Sequence, residues 1–469
     1  MKPKTEDSSG HFCPHYPQPR AQKASLLGLF FSARRSWLHA LYERSYRMKL
    51  GEVHLPGLDL FMVNEPRLVR QVLDDQAQDF PKSRLLGDAL QPLLGESIFT
   101  TNGEQWQRQR QMMNPAFAQA RVNVAFAAMQ AATQACVARL SALPDGAVHD
   151  VELEMTHVTA DIIFRTIFSL PMQGPDAHRV FDAFARFQGL APRLMLPALF
   201  GLKWFVWPWD ARRSRRAAQE IRDLLAGLIK PRYLAYQACP TEGPTDILAA
   251  FMAARDPQTG EPFAFEELVN QVAMLFLAGH ETSASALSWA CHLLAHSPEI
   301  QTRMFDEVVA EWGDRAPQHT DMKSLTLTWY VFKETLRLFP PVGFFSREAQ
   351  QACTMRDKAV PAGASVVVSP WLIQRHRDIW KDPDAFNPDR YANDASRESL
   401  RDGYLPFGMG PRVCLGTAFA LQEAVLILSS LVRHFEWRPV EGHVPMPVGR
   451  LTIRSANGVK VRLFKRKPA

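Results

Sequence analysis

Residues 268–296 constrain the fold of this 469-residue chain more than any other stretch. The run 272–279 consists wholly of apolar or small residues. As a helix the full segment would be roughly 45 Å long, enough to cross a domain. A helix that is apolar on nearly every side is buried, so other helices must pack around it. His280-Glu281-Thr282 interrupts the apolar run. A carboxylate and a hydroxyl inside a buried helix are costly unless partnered, which marks Glu281 and Thr282 as candidates for function. A structural reading stands beside this one: Thr282 bonds back to a carbonyl one turn earlier, and Glu281 joins an ion pair. Gly279 costs about 1 kcal/mol relative to Ala in a helix interior and opens room for a ligand or a backbone.

Helical spacing recurs at 105–113, 121–140, 152–168, 211–235 and 265–296. Asn64-Glu65-Pro66 reads as a helix start with Asn64 as cap and Pro in the first turn. Strand patterns lie toward the ends of the chain. Residues 51–54 and 58–63 form a hairpin about Pro56-Gly57, and 362–369 is β-like. Residues 451–454 and 459–464 read as a second hairpin, turned at Asn457-Gly458. The expected fold class is therefore mainly α, with one large helical domain over 50–469 and small β-sheets near the two ends of the chain. Residues 1–49 are expected to be a polar N-terminal tail with a short helix.

Composition excludes several classes. With 46% hydrophobic and 22% charged residues the chain is neither disordered nor a disulfide scaffold. Its six cysteines are scattered without a CxxC, which argues against zinc and for a reducing compartment. The balance of 54 Lys and Arg against 48 Asp and Glu is too mild for a nucleic-acid binder. No apolar run is long enough to span a bilayer, so a cytoplasmic protein, expected to be a monomer, is the simplest reading.

One cysteine stands apart, in Phe407-Gly408-Met409-Gly410-Pro411-Arg412-Val413-Cys414-Leu415-Gly416. Glycines let a backbone turn sharply and approach a flat ligand. A cysteine just before a helix start meets free N–H groups that favour thiolate. A lone cysteine on such a turn is also commonly a buried structural thiol. The whole arrangement resembles the haem-binding loop of the cytochrome P-450 family, FxxGxRxCxG, at every fixed position: Phe407, Gly410, Arg412, Cys414 and Gly416. Ala278-Gly279-His280-Glu281-Thr282-Ser283 is similarly a full match to the family's (A/G)Gx(D/E)T(T/S). The resemblance runs from about residue 50 to the end and points to the soluble, bacterial type with the cytochrome P-450 fold. It implies haem b (iron protoporphyrin IX) with Cys414 as metal ligand, and with Gly408, Ala278 and Gly279 also at the cofactor. It further implies that Thr282 hydrogen-bonds dioxygen and that Glu281 feeds protons inward.

Glu334-Thr335-Leu336-Arg337 is an ExxR, which alone is as readily a solvated helix pair. With Arg390 in Pro388-Asp389-Arg390-Tyr391 it resembles the family's buried structural triad, Glu334, Arg337 and Arg390. Trp106 and Arg110 form a WxxxR on one helix face, a grip suited to carboxylates. The resemblance assigns them, with Arg412 and Arg347, to the haem propionates.

By family position the substrate pocket includes Ile98, Phe99, Met274, Phe344, Phe345 and Met446, together with residues 184–205. These segments are lipophilic. Phe344 and Phe345 are expected to narrow the approach, which favours a fatty acid hydroxylated at or near its end, with Arg84 or Arg193 as carboxylate anchor. The alternatives are a terpene or steroid hydroxylase, a peroxide-using peroxygenase or isomerase, and a non-catalytic haem sensor. The reading is a monooxygenase using O2 as co-substrate and electrons from NAD(P)H through partner proteins, a ferredoxin or flavodoxin with its reductase. Basic residues near Cys414 and along 108–121 are expected to dock that partner. The aromatic-then-basic stretch 204–216 suits weak peripheral membrane contact.

Overall fold

The computed structural model describes residues 6–7, 10–22, 28, 36–55, 57–172, 179–184, 186–187, 189, 208–240, 243, 245–392 and 396–466. Phe265–Ala295 is one uninterrupted helix of 31 residues. Glu266 and Glu267 occupy its first turn, and Glu267 Oε2 accepts the Ala264 amide (2.9 Å), so carboxylates meet the positive end of the helix dipole. Val151–Phe168 packs along it. That helix is capped by Asp150, whose side chain accepts the Glu152 amide (3.1 Å). Gln119–Ser141, Pro208–Ala238, Pro298–Trp312, Thr326–Leu338 and Thr417–His434 complete the helical body. The mainly-α fold thus follows the helical spacing of the sequence. No helix among the described residues is long and apolar enough to cross a membrane.

The strands are β1 (Leu50–Leu55), β2 (Leu58–Val63), β3 (Ala147–Asp150), β4 (Phe345–Glu348), β5 (Cys353–Met355), β6 (Lys358–Val360), β7 (Ser365–Val368), β8 (Phe435–Pro439), β9 (Pro447–Gly449), β10 (Ile453–Ser455) and β11 (Lys460–Lys465). The largest sheet has the order β1-β2-β7-β4. Within it β2 runs parallel to β7, pairing Phe61 with Val366 and Val63 with Val368. One face of this sheet has its own apolar cluster, which includes Phe61, Val63, Leu68, Val366 and Leu405.

Two local expectations fail. The C-terminal hairpin does not form: β10 pairs with β9, whereas β11 inserts between β3 and β8. The Asn457-Gly458 turn is held by other segments. Asn457 Oδ1 accepts the Met446 amide (3.1 Å), and Asp150 Oδ1 accepts the Val459 amide (3.1 Å). These tertiary bonds send the chain into a different sheet. Nor does Asn64 cap the helix Pro66–Arg70; Glu65 stands at that position. Asn64 is buried and its Nδ2 donates to Ser45 O (3.1 Å) and Met48 O (3.3 Å).

The first fifty residues are laid along the body wherever they are described. Phe12 stacks on His296 (centroids 4.3 Å apart), and the Tyr16 hydroxyl donates to Asp384 (3.0 Å). Two 3-10 turns follow, Trp37–Ala40 and Glu43–Tyr46. The short helix expected within residues 1–49 falls largely on positions outside the described residues.

Candidate functional site

The cysteine loop is shaped by positive-φ glycines, Gly408 (φ 76°) and Gly410 (φ 71°). A side chain at Gly410 would run into the backbone of Leu73 and Asp74. The Cys414 amide donates to Phe407 O (2.9 Å), and the Val413 amide to Gly410 O (3.0 Å). Cys414 therefore ends a tightly wound turn immediately before Thr417–His434. Its side chain presents open surface although the surrounding chain encloses it, so it faces an internal cavity. Burial pushes the thiol up, while the Gly416 amide, the Thr417 hydroxyl and Arg110 pull it down. The net shift is upward. Desolvation outweighs the helix-start effect expected from the sequence.

Four basic side chains gather beside this loop. Arg412 stands over the Trp106 ring (4.8 Å), and its Nη1 donates to Asn102 Oδ1 (2.9 Å). Arg110 Nη1 donates to Val413 O (2.8 Å). Arg347 donates to Ser346 O (3.1 Å) and Lys82 Nζ to Ile98 O (2.6 Å). Among the described residues no carboxylate pairs with any of the four. Burial, with Arg412 and Arg347 nearby, depresses Lys82 to about 6, and burial beside Arg412 depresses Arg347 to about 10. Sequence reasoning missed Lys82, since a single lysine after Phe80-Pro81 carries no local sign of burial.

This arrangement tests the cofactor that the resemblance implies. Enclosed cations without counter-charge call for an anionic partner. Ala278 is exposed in the middle of an otherwise buried helix, with Thr282 half-buried one turn on. The Ser283 hydroxyl donates to Glu423 Oε2 (2.7 Å), pinning the long helix to the helix that follows Cys414. Ala278 and Cys414 both precede this pin and both carry exposed surface. A flat dicarboxylate with a metal that takes a thiolate fits these residues.

On the long helix, the Thr282 hydroxyl donates to Ala278 O (2.7 Å), the back-bond of the structural reading. Gly279 does not open toward a ligand: a side chain there would meet Ile163 Cδ1, so its bareness serves the packing of Val151–Phe168. Glu281 is buried, and its Oε1 accepts the Thr452 hydroxyl (2.8 Å). Burial raises its carboxyl, opposed by Arg454, whose Nε lies 3.9 Å away, and by Thr452. Arg454 Nη1 also binds Glu152 (3.1 Å) and Thr156 (3.1 Å), which leads this polar chain toward the surface. Neighbouring His280 is held neutral, its value lowered by burial to about 4.

Glu334, Arg337 and Arg390 come together with almost no solvent contact. Arg337 binds both Glu334 oxygens (2.8 and 2.9 Å), and Arg390 Nε binds Oε1 (2.9 Å). Burial alone would raise Glu334, but the two guanidiniums hold it below its usual range. The remaining N–H groups of Arg337 donate to Gln374 O, Pro383 O and Ala385 O. Tyr391 adds a hydroxyl bond to Glu334 (3.3 Å).

The expected pocket residues divide. Met274 is buried on the long helix, and the Ile98 amide donates to Gln271 of the same helix (3.0 Å). Phe99 is exposed. Met446 is held at the β9 turn by Asn457 and Ala456. Phe344 and Phe345 point apart, as successive residues near a strand do. Phe344 meets Trp37, whereas Phe345 joins the sheet cluster near Gly408. Arg84 is exposed; Arg193 and most of 184–205 lie outside the described residues. Arg108, expected to dock a partner, is neutralised by Asp256 (3.0 Å) and Glu267 (2.6 Å). Residues 204–207 are likewise outside the described set, while Trp209 is exposed, with Arg212 over its ring (5.8 Å).

A family model for cytochrome P-450 matches residues 19–459. Cyclooctatin synthase of Streptomyces melanosporofaciens is 32% identical over 84% of this chain and 84% of its own. Pentalenene oxygenase of Streptomyces avermitilis is 30% identical over 94% of this chain and 96% of its own. The plant 11-oxo-beta-amyrin 30-oxidase of Glycyrrhiza uralensis is 28% identical over 86% and 78% respectively. A match spanning nearly the whole sequence, on a chain whose glycine-wound cysteine turn faces an enclosed cavity, establishes that this protein belongs to the cytochrome P-450 family.

Proposed function

We propose that this monooxygenase hydroxylates an alicyclic substrate of the terpenoid class. The observation that carries the substrate reading is the similarity to proteins named for pentalenene, cyclooctat-9-en-7-ol and 11-oxo-beta-amyrin. The fatty-acid reading is supported less: Arg84 is exposed and Phe345 packs with the sheet cluster, while Arg193 lies outside the described residues. The overall reaction is RH + O2 + two electrons + two protons → ROH + H2O.

Enzymes of this family work with haem iron, O2 and electrons from NAD(P)H through redox partners. In this chain Cys414 would ligate the iron, and Lys82, Trp106, Arg110, Arg347 and Arg412 would hold the haem carboxylates. The bound haem supplies the activation of O2. Thr282 donates to Ala278 O at rest, which leaves its oxygen free to accept. Glu281, the residue before Thr282, has its carboxyl raised by burial, which suits it to pass protons. Glu152 and Arg454 connect Glu281 with the surface, while Thr452 fixes its orientation. The intact Glu281-Thr282 pair supports the O2-driven reading over a peroxide-driven one. The reading includes a cytoplasmic setting and a ferredoxin or flavodoxin donor.

A binding screen read by the haem spectrum, followed by turnover with a surrogate ferredoxin system under isotope-labelled O2, tests this. Fused-ring terpenoids are expected to shift the spectrum and to gain one labelled hydroxyl. A shift with fatty acids and none with terpenoids overturns the substrate reading.

A further inference from the structure

The N-terminal segment reaches the same quarter of the molecule as Glu281. Ser36 is fully buried, and its Oγ accepts two amides, Leu38 N (3.2 Å) and Gly449 N (2.8 Å). The first bond caps the turn Trp37–Ala40; the second ties that turn to β9. The Trp37 indole lies against two glycines from distant segments, Gly343 and Gly449. A methyl group added at either would overlap the ring. Phe344 meets the indole edge-on, with centroids 5.5 Å apart and planes at 88°.

This packed group is tied to the long helix. Ile453 Cδ1 lies 3.0 Å from where a Gly343 side chain would begin. The Ile453 amide donates to Pro341 O (2.9 Å), and its carbonyl accepts Ser285 Oγ (2.6 Å) and Trp289 Nε1 (3.2 Å). Ser285 stands one turn beyond Thr282, and Thr452 donates to Glu281. Trp37, Gly343, Phe344, Gly449 and Ile453 thus form one packed group, tied to the long helix at Ser285 and Trp289 through Ile453, beside the residue that bonds Glu281. Both glycines lie outside the positive-φ region, so backbone conformation does not require them. What requires them is the indole.

We propose that Trp37 is a specificity-determining residue: its indole closes one wall of the substrate cavity and sets the bulk of the skeleton that the site accepts. Only a residue without a side chain at 343 and 449 leaves room for the ring. Any smaller residue at 37 gives that room back to the cavity. The proposal rests on the terpenoid reading only for its choice of probes.

The test uses the holoenzyme and four variants: Trp37→Ala, Trp37→Phe, Gly449→Ala and the double variant Trp37→Ala/Gly449→Ala. Dissociation constants are taken from substrate-induced spectral shifts with terpenoids graded from one ring to five and with fatty acids of linear and ring-terminated form. Thermal midpoints are taken in parallel. A misfit of one methylene changes discrimination by about tenfold or more, so Trp37→Ala is expected to move the bulky-to-slim affinity ratio at least that far toward bulky. Trp37→Phe moves it the same way by less, and it carries the test if the Ala variant does not fold. Gly449→Ala lowers the midpoint when the indole is present and costs little when it is absent, because the atoms nearest the new methyl all belong to Trp37. A ratio that stays within threefold in both Trp37 variants overturns the proposal. So does equal damage from Gly449→Ala in the two backgrounds. If only fatty acids bind, the terpenoid reading falls, and the linear to ring-terminated ratio still decides the role of Trp37.

Discussion

Glu423 is the buried acid that the sequence reading passed over, and its pH dependence can be worked through. It lies inside Thr417–His434 with no solvent contact. Oε2 accepts the Ser283 hydroxyl (2.7 Å), and Oε1 has no partner among the described residues. Burial raises the carboxyl from 4.5 to about 8, moderated by Ser283. The folded value lies above the unfolded one. Its contribution to stability is therefore full below the unfolded value and is lost as pH rises through about 8.

Each pH unit between the two values is worth about 1.4 kcal/mol, tapering near the upper one, so from about pH 6 to about pH 9 the protein loses roughly 2.5 kcal/mol through this group. Glu423→Gln keeps the shape and the Ser283 bond without the titration. At about 2.1 cal/mol/K of unfolding entropy per residue, a chain of this length shifts its midpoint about 1 °C per kcal/mol. The thermal midpoint of Glu423→Gln holoenzyme, at a fixed heating rate, should gain roughly 2.5 °C on the wild type over that pH range. A difference between the two proteins that stays constant with pH refutes the neutral carboxyl.

Three further substitutions probe the site. Glu334→Gln strands Arg337 and Arg390 without their counter-charge and should cost roughly 3–5 kcal/mol, read as loss of folded, haem-loaded protein; wild-type haem content and midpoint would contradict the triad. Thr282→Ala should retain haem and divert reducing equivalents to peroxide, measured as peroxide formed per NAD(P)H consumed; full coupling to product would contradict the role of the hydroxyl. Lys82→Met removes one charge-assisted bond of about 1.5 kcal/mol and should speed haem loss to a scavenging globin about tenfold; unchanged retention would exclude Lys82 from the carboxylate site.

The sequence was most legible where local pattern and tertiary role coincide. The long helix announces itself through an apolar run that no solvated helix would carry. The cysteine turn announces itself through glycines that its φ angles require. Legibility ends where a partner lies far along the chain. Arg108 reads as a free basic residue, but its carboxylates are Asp256 and Glu267. Asn457-Gly458 carries a hairpin signal, yet Asp150 and Met446 claim its surroundings. Lys82 and Glu423 look like surface charges because nothing beside them in sequence shows that they are enclosed. Gly279 has the composition of a ligand approach, and the space is taken by Ile163.

The failed hairpin also changes how the site is understood. Because β10 pairs with β9 and not with β11, three successive residues serve two purposes. Thr452 and Arg454 address Glu281, while Ile453 between them backs the wall at Gly343. That alternation follows from strand geometry, in which neighbouring side chains point to opposite faces. The start of β10 with the residue before it therefore carries the partners of the buried acid on one face and the support of Trp37's packing on the other. Its position is fixed at Ile453 by Ser285, Trp289 and Pro341. A substrate bulky enough to displace that wall would also move Thr452 and Arg454 away from Glu281. On the roles proposed for Trp37 and Glu281, substrate bulk and proton supply are then not independent. A skeleton that fits against the indole is expected, on the same proposal, to leave the acid's partners in place, and one that does not fit to lower affinity and coupling together.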